Sequence, residues 1–399
     1  MIRMASVEQA LELILQHGEA NLAAVETVPL EKAEGRVLAA PVVAAISQPP
    51  AAVSAMDGYA VRFSDMKVGH RLRIKGESSA GHPYDNAIDP GEAVRIFTGA
   101  HVPPGADHIL IQEDARREGE VVEVAAAQTA PGSIRRKGRD FNAGDELVPA
   151  GHRITAGAIA LIAAGNVPAV DVRVAPRIGV LANGDELVAP GSSLKAGEIV
   201  NSVAPAVMSL IRQWGAEPVD LGVASDAEAD VRKRIAEPCD ILLTIGGASV
   251  GDHDVVRAAF AKEGFEGIFE KVAVKPGKPT WFSSRGGQLV LGLPGNPAAA
   301  MVTSRLFLKP LIEARIAALR APAALMMAHA QSALPATGGR EEYLRAVVTL
   351  ERDGHANVRP ADDQDSSLIS PFLSANALIH RLPRAPEAAA GDLVEVIWL

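Results

Sequence analysis

The sequence predicts a multidomain α/β fold. An α/β domain on a parallel sheet spans residues 177–297, a β-rich unit precedes it, and a small β-barrel or sandwich follows. Three observations carry this. Between Arg177 and Pro297 short apolar runs alternate with helical segments, the pattern of βαβ units. Before Pro176 apolar residues mostly recur at every second position. After Pro322 strand-like runs return. A length of 399 residues accommodates about two to four domains.

Ser6-Val7-Glu8-Gln9 reads as a capping box, and Val7, Ala10, Leu11, Ile14 and Leu15 follow at helical spacing up to Gly18, a natural stop. From about 25 to 150 the signals are strand-like: Leu72 and Ile74 alternate with Arg71, Arg73 and Lys75, and Asp89-Pro90-Gly91 and Pro103-Pro104-Gly105 mark turns. This stretch reads as a β-rich unit inserted into, or joined to, a smaller one. Thr155 to Ala164 is a short helix ended by Gly165. Strands are expected at 177–182, 218–223, 240–245, 268–274 and 288–291, with helices near 204–214 and 253–263. Ser225-Asp226-Ala227-Glu228 reads as a cap for another helix, and a long helix begins near Pro297. In the last segment 343–350, 377–380 and 393–398 read as strands, with Asp353-Gly354 as a hairpin turn.

Composition excludes several classes. With 39 basic and 48 acidic residues the formal charge is −9, a poor basis for general nucleic-acid binding, so an anionic ligand needs local basic clusters. One cysteine, Cys239, rules out an intrachain disulfide, and its apolar surroundings mark it as structural. The ten histidines show no zinc-ligand spacing. No signal peptide or membrane-length apolar run is evident, so a cytoplasmic protein is expected, with neither membrane nor nucleic acid as partner.

In open parallel sheets ligands bind beyond the carboxyl ends of the strands. Five successive strand ends here carry glycines, carboxylates and lysines: 183–187, 225–226, 246–254, 275–279 and 293–297. In the second-last of these, Lys275 and Lys278 sit on a short loop stiffened by Pro276 and Pro279, which suits a tetrahedral oxyanion. Gly246, Gly247, Ser249 and Gly251 enter a helix, where backbone N–H groups can meet an anion; a purely structural turn explains the glycines as well. Glu186, Asp226 and Asp254 beside lysines suggest Mg²⁺ bridging phosphate oxygens, while Asp226 and Asp252 also stand where helix caps are favoured. In the β-rich region, Asp57 lies in an apolar turning stretch, and Arg135-Arg136-Lys137-Gly138-Arg139-Asp140 is either a solvated face or an anion site.

Segments 54–60, 97–100, 135–140, 184–187, 246–254, 275–279 and 293–297 occur in an order that resembles the molybdopterin molybdenumtransferase family, which includes the E domain of gephyrin. The resemblance implies a molybdopterin-binding α/β domain at 6–26 and 175–320, a small linking domain at 27–46 and 145–174, an inserted β-rich domain at 47–144 and a C-terminal β-barrel at 321–399. It implies an active site between two subunits of a homodimer, with Asp57, Thr98 and Asp140 acting across the interface on Glu186, Asp226, Asp254, Lys275 and Lys278. It places Gly246, Gly247, Ser249, Gly251, Pro279, Pro294 and Pro297 at the substrate, and Arg345 and Ser366 near the oxyanion. The implied reaction inserts molybdate into adenylylated molybdopterin with release of AMP, with Mg²⁺ as cofactor and a molybdopterin adenylyltransferase as partner. Ala248, Arg139, Val203 and Asp365 depart from the family pattern. Two other readings compete: a pterin-binding scaffold without turnover, and a nucleotidyl enzyme using the same loops.

Overall fold

The structure is a computed structural model and describes residues 1–247, 255–319 and 326–399. The first helix, Val7–Ala20, begins as expected: Ser6 Oγ accepts from the Gln9 N–H at 3.1 Å, and Gln9 Oε1 accepts from the Ser6 N–H at 3.1 Å. It does not stop at Gly18. It runs one half-turn further, and Gly18 lies buried where a Cβ would come within 2.6 Å of the Ala314 Cβ. The glycine is there to let helix Lys309–Arg315 approach. Ala10 and Ile14 join Leu311 and Ile312 in the core of the central domain.

The chain then builds a small unit from two distant pieces. Val25–Pro29 pairs antiparallel with Ala169–Arg173, and Val42–Val43 with Glu146–Val148. Helix Ala156–Ala164, capped by Thr155, packs there through Ala158 and Ile162. Between the pieces an insertion forms its own six-stranded sheet, in which Gly58–Val61 lies between Glu92–Ile96 and the edge strand His108–Ile111.

The central sheet has six strands in the order Glu217–Ala224, Arg177–Asn183, Ile241–Ile245, Gln288–Leu293, Trp281–Arg285, Glu266–Phe269. The first four are mutually parallel. The expectation of a wholly parallel sheet is corrected by Trp281–Arg285, which runs antiparallel to both neighbours and was not foreseen. Its fit depends on Gly292, since a Cβ there would lie 1.8 Å from Trp281 Nε1. The single strand expected at 268–274 is two: Glu266–Phe269 stays in this sheet, and Val274–Lys275 leaves to pair with Glu341–Glu342 of the last domain. Because Glu266–Phe269 is antiparallel to Trp281–Arg285, its carboxyl end still points to the same edge as those of the parallel strands.

The last domain closes on itself. Glu341–Leu350 pairs with Ala356–Pro360 and Ala377–Arg381, Met326–Ala330 joins Ala356–Pro360 to Leu393–Trp398, and Leu393–Trp398 returns to Ala377–Arg381. It is therefore a barrel, not a sandwich. On it, His380 Nδ1 meets Glu395 Oε2 at 2.8 Å and Nε2 meets Glu341 Oε1 at 2.7 Å, while the Tyr343 hydroxyl donates to Glu341 at 2.6 Å. Burial opposes the charged imidazole, but the two carboxylates prevail and raise the His380 pKa. Burial likewise opposes the Glu341 carboxylate, and the bonds from His380 and Tyr343 hold it below the usual range. Among the described residues no helix is long and apolar enough to cross a membrane.

Two predictions follow from packing and charge. Gly18→Ala gains about 1 kcal/mol of helix propensity but must displace Ala314, at a cost of about 1–3 kcal/mol. The melting temperature should therefore fall by a few degrees, and a rise would contradict the close approach. His380 contributes fully below its ordinary pKa of 6.5, and the contribution fades as pH climbs through the raised value. Glu341 contributes fully above 4.5 and fades in acid. His380→Gln should thus lower the melting temperature most between these two values and progressively less at alkaline pH.

Candidate active site

A cleft of about 950 Å³ opens along the carboxyl edge of the central sheet. Its floor is made by strand ends. Gly246 and Gly247 follow strand Ile241–Ile245 with φ of 91° and 68°, the left-handed region that favours glycine. A Cβ on Gly246 would lie 2.6 Å from the Asn183 carbonyl oxygen, and one on Gly247 would lie 2.2 Å from Val256 Cγ2. Pro294 and Pro297 line the same cleft from the end of Gln288–Leu293.

The acids arrive from two neighbouring strands. Asp226 Oδ1 accepts from Asn183 Nδ2 at 2.6 Å, and the Asp226 N–H donates to Asp185 Oδ1 at 3.1 Å. Asp226 is not a helix cap: helix Glu228–Arg234 starts after Ala227 with no side-chain cap, and Ser225 instead donates its N–H and Oγ to the Asp230 carboxylate at 2.9 and 3.3 Å. The expected cap at 225–228 therefore does not form. Glu186 also lines the cleft, with its carboxylate over Gly184, where a Cβ would lie 2.6 Å from Glu186 Oε2. Because a carboxylate only accepts, the Asn183 amide must turn its nitrogen toward Asp226. Among the described residues Asn183 Oδ1 is then left buried without a partner.

Sequence reasoning placed Asn183 at a strand end but gave it no role, and it missed the opposite wall. There Leu187–Val188 pairs with Ile199–Val200, and Leu187, Ile199 and Val200 supply apolar lining. The pair Ile199-Val200 after Gly197 was the available signal.

The two lysines are parted. Pro279 lines the cleft, but Lys275 Nζ pairs with Glu342 at 3.2 Å and lines a neighbouring groove on the barrel. Lys278 is exposed, without an ion-pair partner among the described residues. Ser366 Oγ accepts from Asn296 Nδ2 at 2.9 Å, at the margin of the cleft. Arg345, expected near the oxyanion, is 1% exposed and organises the 363–368 loop that carries Ser366. Its Nη1 donates to the Leu368 carbonyl at 2.7 Å and Nη2 to the Asp365 carbonyl at 2.9 Å. Asp365 in turn accepts from the Ser367 N–H and Oγ at 2.8 and 2.6 Å.

A second cluster forms on the inserted unit. Asp57 Oδ1 accepts from the Thr98 N–H and Oγ1, both at 2.8 Å. These bonds, the backbone one foremost, and the nearby Arg95 charge hold its carboxyl below the usual range. The basic run is stitched alongside: Ile134–Arg135 pairs with Val53–Ser54, the Gly138 N–H donates to the Pro49 carbonyl and the Asp140 N–H to the Gln48 carbonyl, both at 2.9 Å. Asp140 itself is exposed. Among the described residues none of these side chains bonds to the strand-end cleft of the same chain. Ser249, Gly251 and Asp254, together with Ala248 and Asp252, lie outside the described residues.

Comparison with known proteins decides the relationship. The family described as the MoeA N-terminal region (domain I and II) matches residues 5–165, the probable molybdopterin binding domain matches 179–314, and the MoeA C-terminal region (domain IV) matches 327–399. The chain belongs to the MoeA family. A Haemophilus influenzae protein named molybdopterin molybdenumtransferase is 32% identical over 377 residues, covering 93% of each chain. One of the same name from Nostoc is 37% identical over 298 residues, covering 72% of this chain and 68% of the relative. A crystal structure titled as the molybdopterin biosynthesis MoeA protein of Pyrococcus horikoshii superposes with a TM-score of 0.84 at 28% identity, covering 99% of both chains.

The MoeA cleft makes Gly184 a sensitive probe. We predict that Gly184→Ala, by straining a backbone held at φ 149° and pushing the Glu186 carboxylate aside, lowers kcat/KM for molybdenum insertion at least about tenfold and lowers the melting temperature by several degrees. Unchanged kinetics would remove Glu186 from the working site.

Proposed function

We propose that this chain is a molybdenum insertase that transfers molybdate into adenylylated molybdopterin, releasing AMP and forming molybdenum cofactor. The observation that carries this reading is the meeting of Glu186 and Asp226 with the left-handed Gly246–Gly247 turn in one cleft. Both substrates are anions. Cleaving the pyrophosphate link builds charge on the departing AMP phosphate, and fixed N–H groups and cations beside that atom stabilise it without reorganising. The apolar wall at Leu187, Ile199 and Val200 gives the flat pterin an apolar surface to cover. Lys278, exposed beside Pro279, is free to reach an oxyanion.

Mg²⁺ fits the cleft. The available donors are all oxygens: Glu186, Asp226 and the unpartnered Asn183 Oδ1. Mg²⁺ takes such ligands sparingly and keeps water or phosphate oxygens for the rest, so a three-acid cage, absent among the described residues, is not required. When bound it neutralises phosphate charge. Asn183 holds the Asp226 carboxylate in place through its 2.6 Å bond.

The Asp57–Thr98 pair and Asp140 need a target, and the cleft of a second copy supplies one. We read the working unit as a homodimer whose sites combine the inserted unit of one subunit with the central domain of the other. A molybdopterin adenylyltransferase would deliver the substrate. Mixing Asp57→Asn and Asp226→Asn subunits, each inactive alone, should then restore about a quarter of parental activity, because half the dimers are mixed and each of those holds one intact site. No recovery on mixing would place both residues in the same subunit's site. Incubation with adenylylated molybdopterin, molybdate and Mg²⁺ tests the reaction itself: AMP release with cofactor formation supports an insertase, whereas binding without AMP identifies a scaffold.

A further inference from the structure

The barrel carries a second cleft that the proposed reaction does not use. A groove of about 1000 Å³ opens at its mouth, a common ligand position in barrels. Inside it lies Arg381, only 6% exposed. Its Nη2 donates to the Pro386 carbonyl, but Nη1 is buried with no partner among the described residues. Among the described residues no carboxylate pairs with this guanidinium. The residue opposite it across the strands is Glu342, whose carboxylate is taken by Lys275 at 3.2 Å. At the rim the charges of exposed Arg359 and Asp362 offset one another. The groove is therefore left with one uncompensated, buried positive charge, an arrangement that costs stability unless an anion completes it. Leu334, Pro335 and Leu344 form an apolar wall beside it.

We propose that the barrel mouth is a binding site for a small organic anion, whose carboxylate or phosphate pairs with Arg381 and whose apolar body lies against Leu334, Pro335 and Leu344. A carboxylate or phosphate can accept from both Nη1 and a neighbouring donor, which an isolated water cannot match in charge. The site is separate from the strand-end cleft: the loop at 361–368 stands between them, with Gln364 facing the groove and Ser367 facing the cleft.

Calorimetric titration of the full chain with phenylphosphate, benzoate and inorganic phosphate tests this. Either aromatic anion should bind more tightly than inorganic phosphate, and whichever of the two is tighter tells phosphate from carboxylate recognition. Arg381→Lys should weaken that binding about tenfold, because the fork of donors is lost. Should Arg381→Lys fail to fold, the two exposed positions decide: Arg359→Ala should weaken binding a few-fold and Asp362→Asn should tighten it a few-fold. Affinities that stay within twofold of the parent in both exposed variants overturn the proposal, as does a parent chain that binds no probe below about 10 mM.

Discussion

The 2.6 Å hydrogen bond from Asn183 to Asp226 is the contact on which the cleft depends. It joins the ends of two adjacent parallel strands, so the acid cannot drift from the floor. It also orients the amide, because the carboxylate can only accept. The orphaned carbonyl oxygen that results belongs to the same fixed geometry. Around this pair the left-handed glycines remove side chains where the backbone must pass close, and Gly184 does the same beneath Glu186. A cleft held so tightly is suited to present charge to a substrate rather than to rearrange around it.

Charge elsewhere is placed with equal economy. Arg345 is buried in carbonyl oxygens of the 363–368 loop, so its effect on the cleft passes through Ser366 and Ser367. Lys275 and Lys278 sit three positions apart in the chain yet serve different surfaces, one paired with Glu342 and the other open to solvent. On the inserted unit, Asp57 stays ionised through its two bonds from Thr98. A carboxylate organised by two hydrogen bonds, with no bond to the cleft of its own chain among the described residues, supports the proposed reading of the site as shared between subunits.

Much of the fold was legible because burial imposes pattern. Arg177–Asn183 and Ile241–Ile245 lie inside the sheet and read as nearly continuous apolar runs. The Ser6 cap was legible because capping is local chemistry. Trp281–Arg285 was not, since Ser283, Ser284 and Arg285 blur its apolar pattern. Gly18 was misread as a stop because its true reason, Ala314, lies far along the chain. The cap expected at 225–228 failed for a related cause: Asp230 reaches back to Ser225 first.

By itself, the sequence determined that the ends of the parallel strands would carry glycines and acids and would share one edge. Alternating βαβ connectivity compels that for those strands, whereas the lysine loop follows Val274–Lys275 out of this sheet to the barrel. Tertiary structure alone decided where each side chain points. Asn183 gained its role from Asp226, Lys275 was drawn to the barrel by Glu342, and Arg381 was left without a counter-ion, all through partners 39 to 67 residues away that local patterning cannot register.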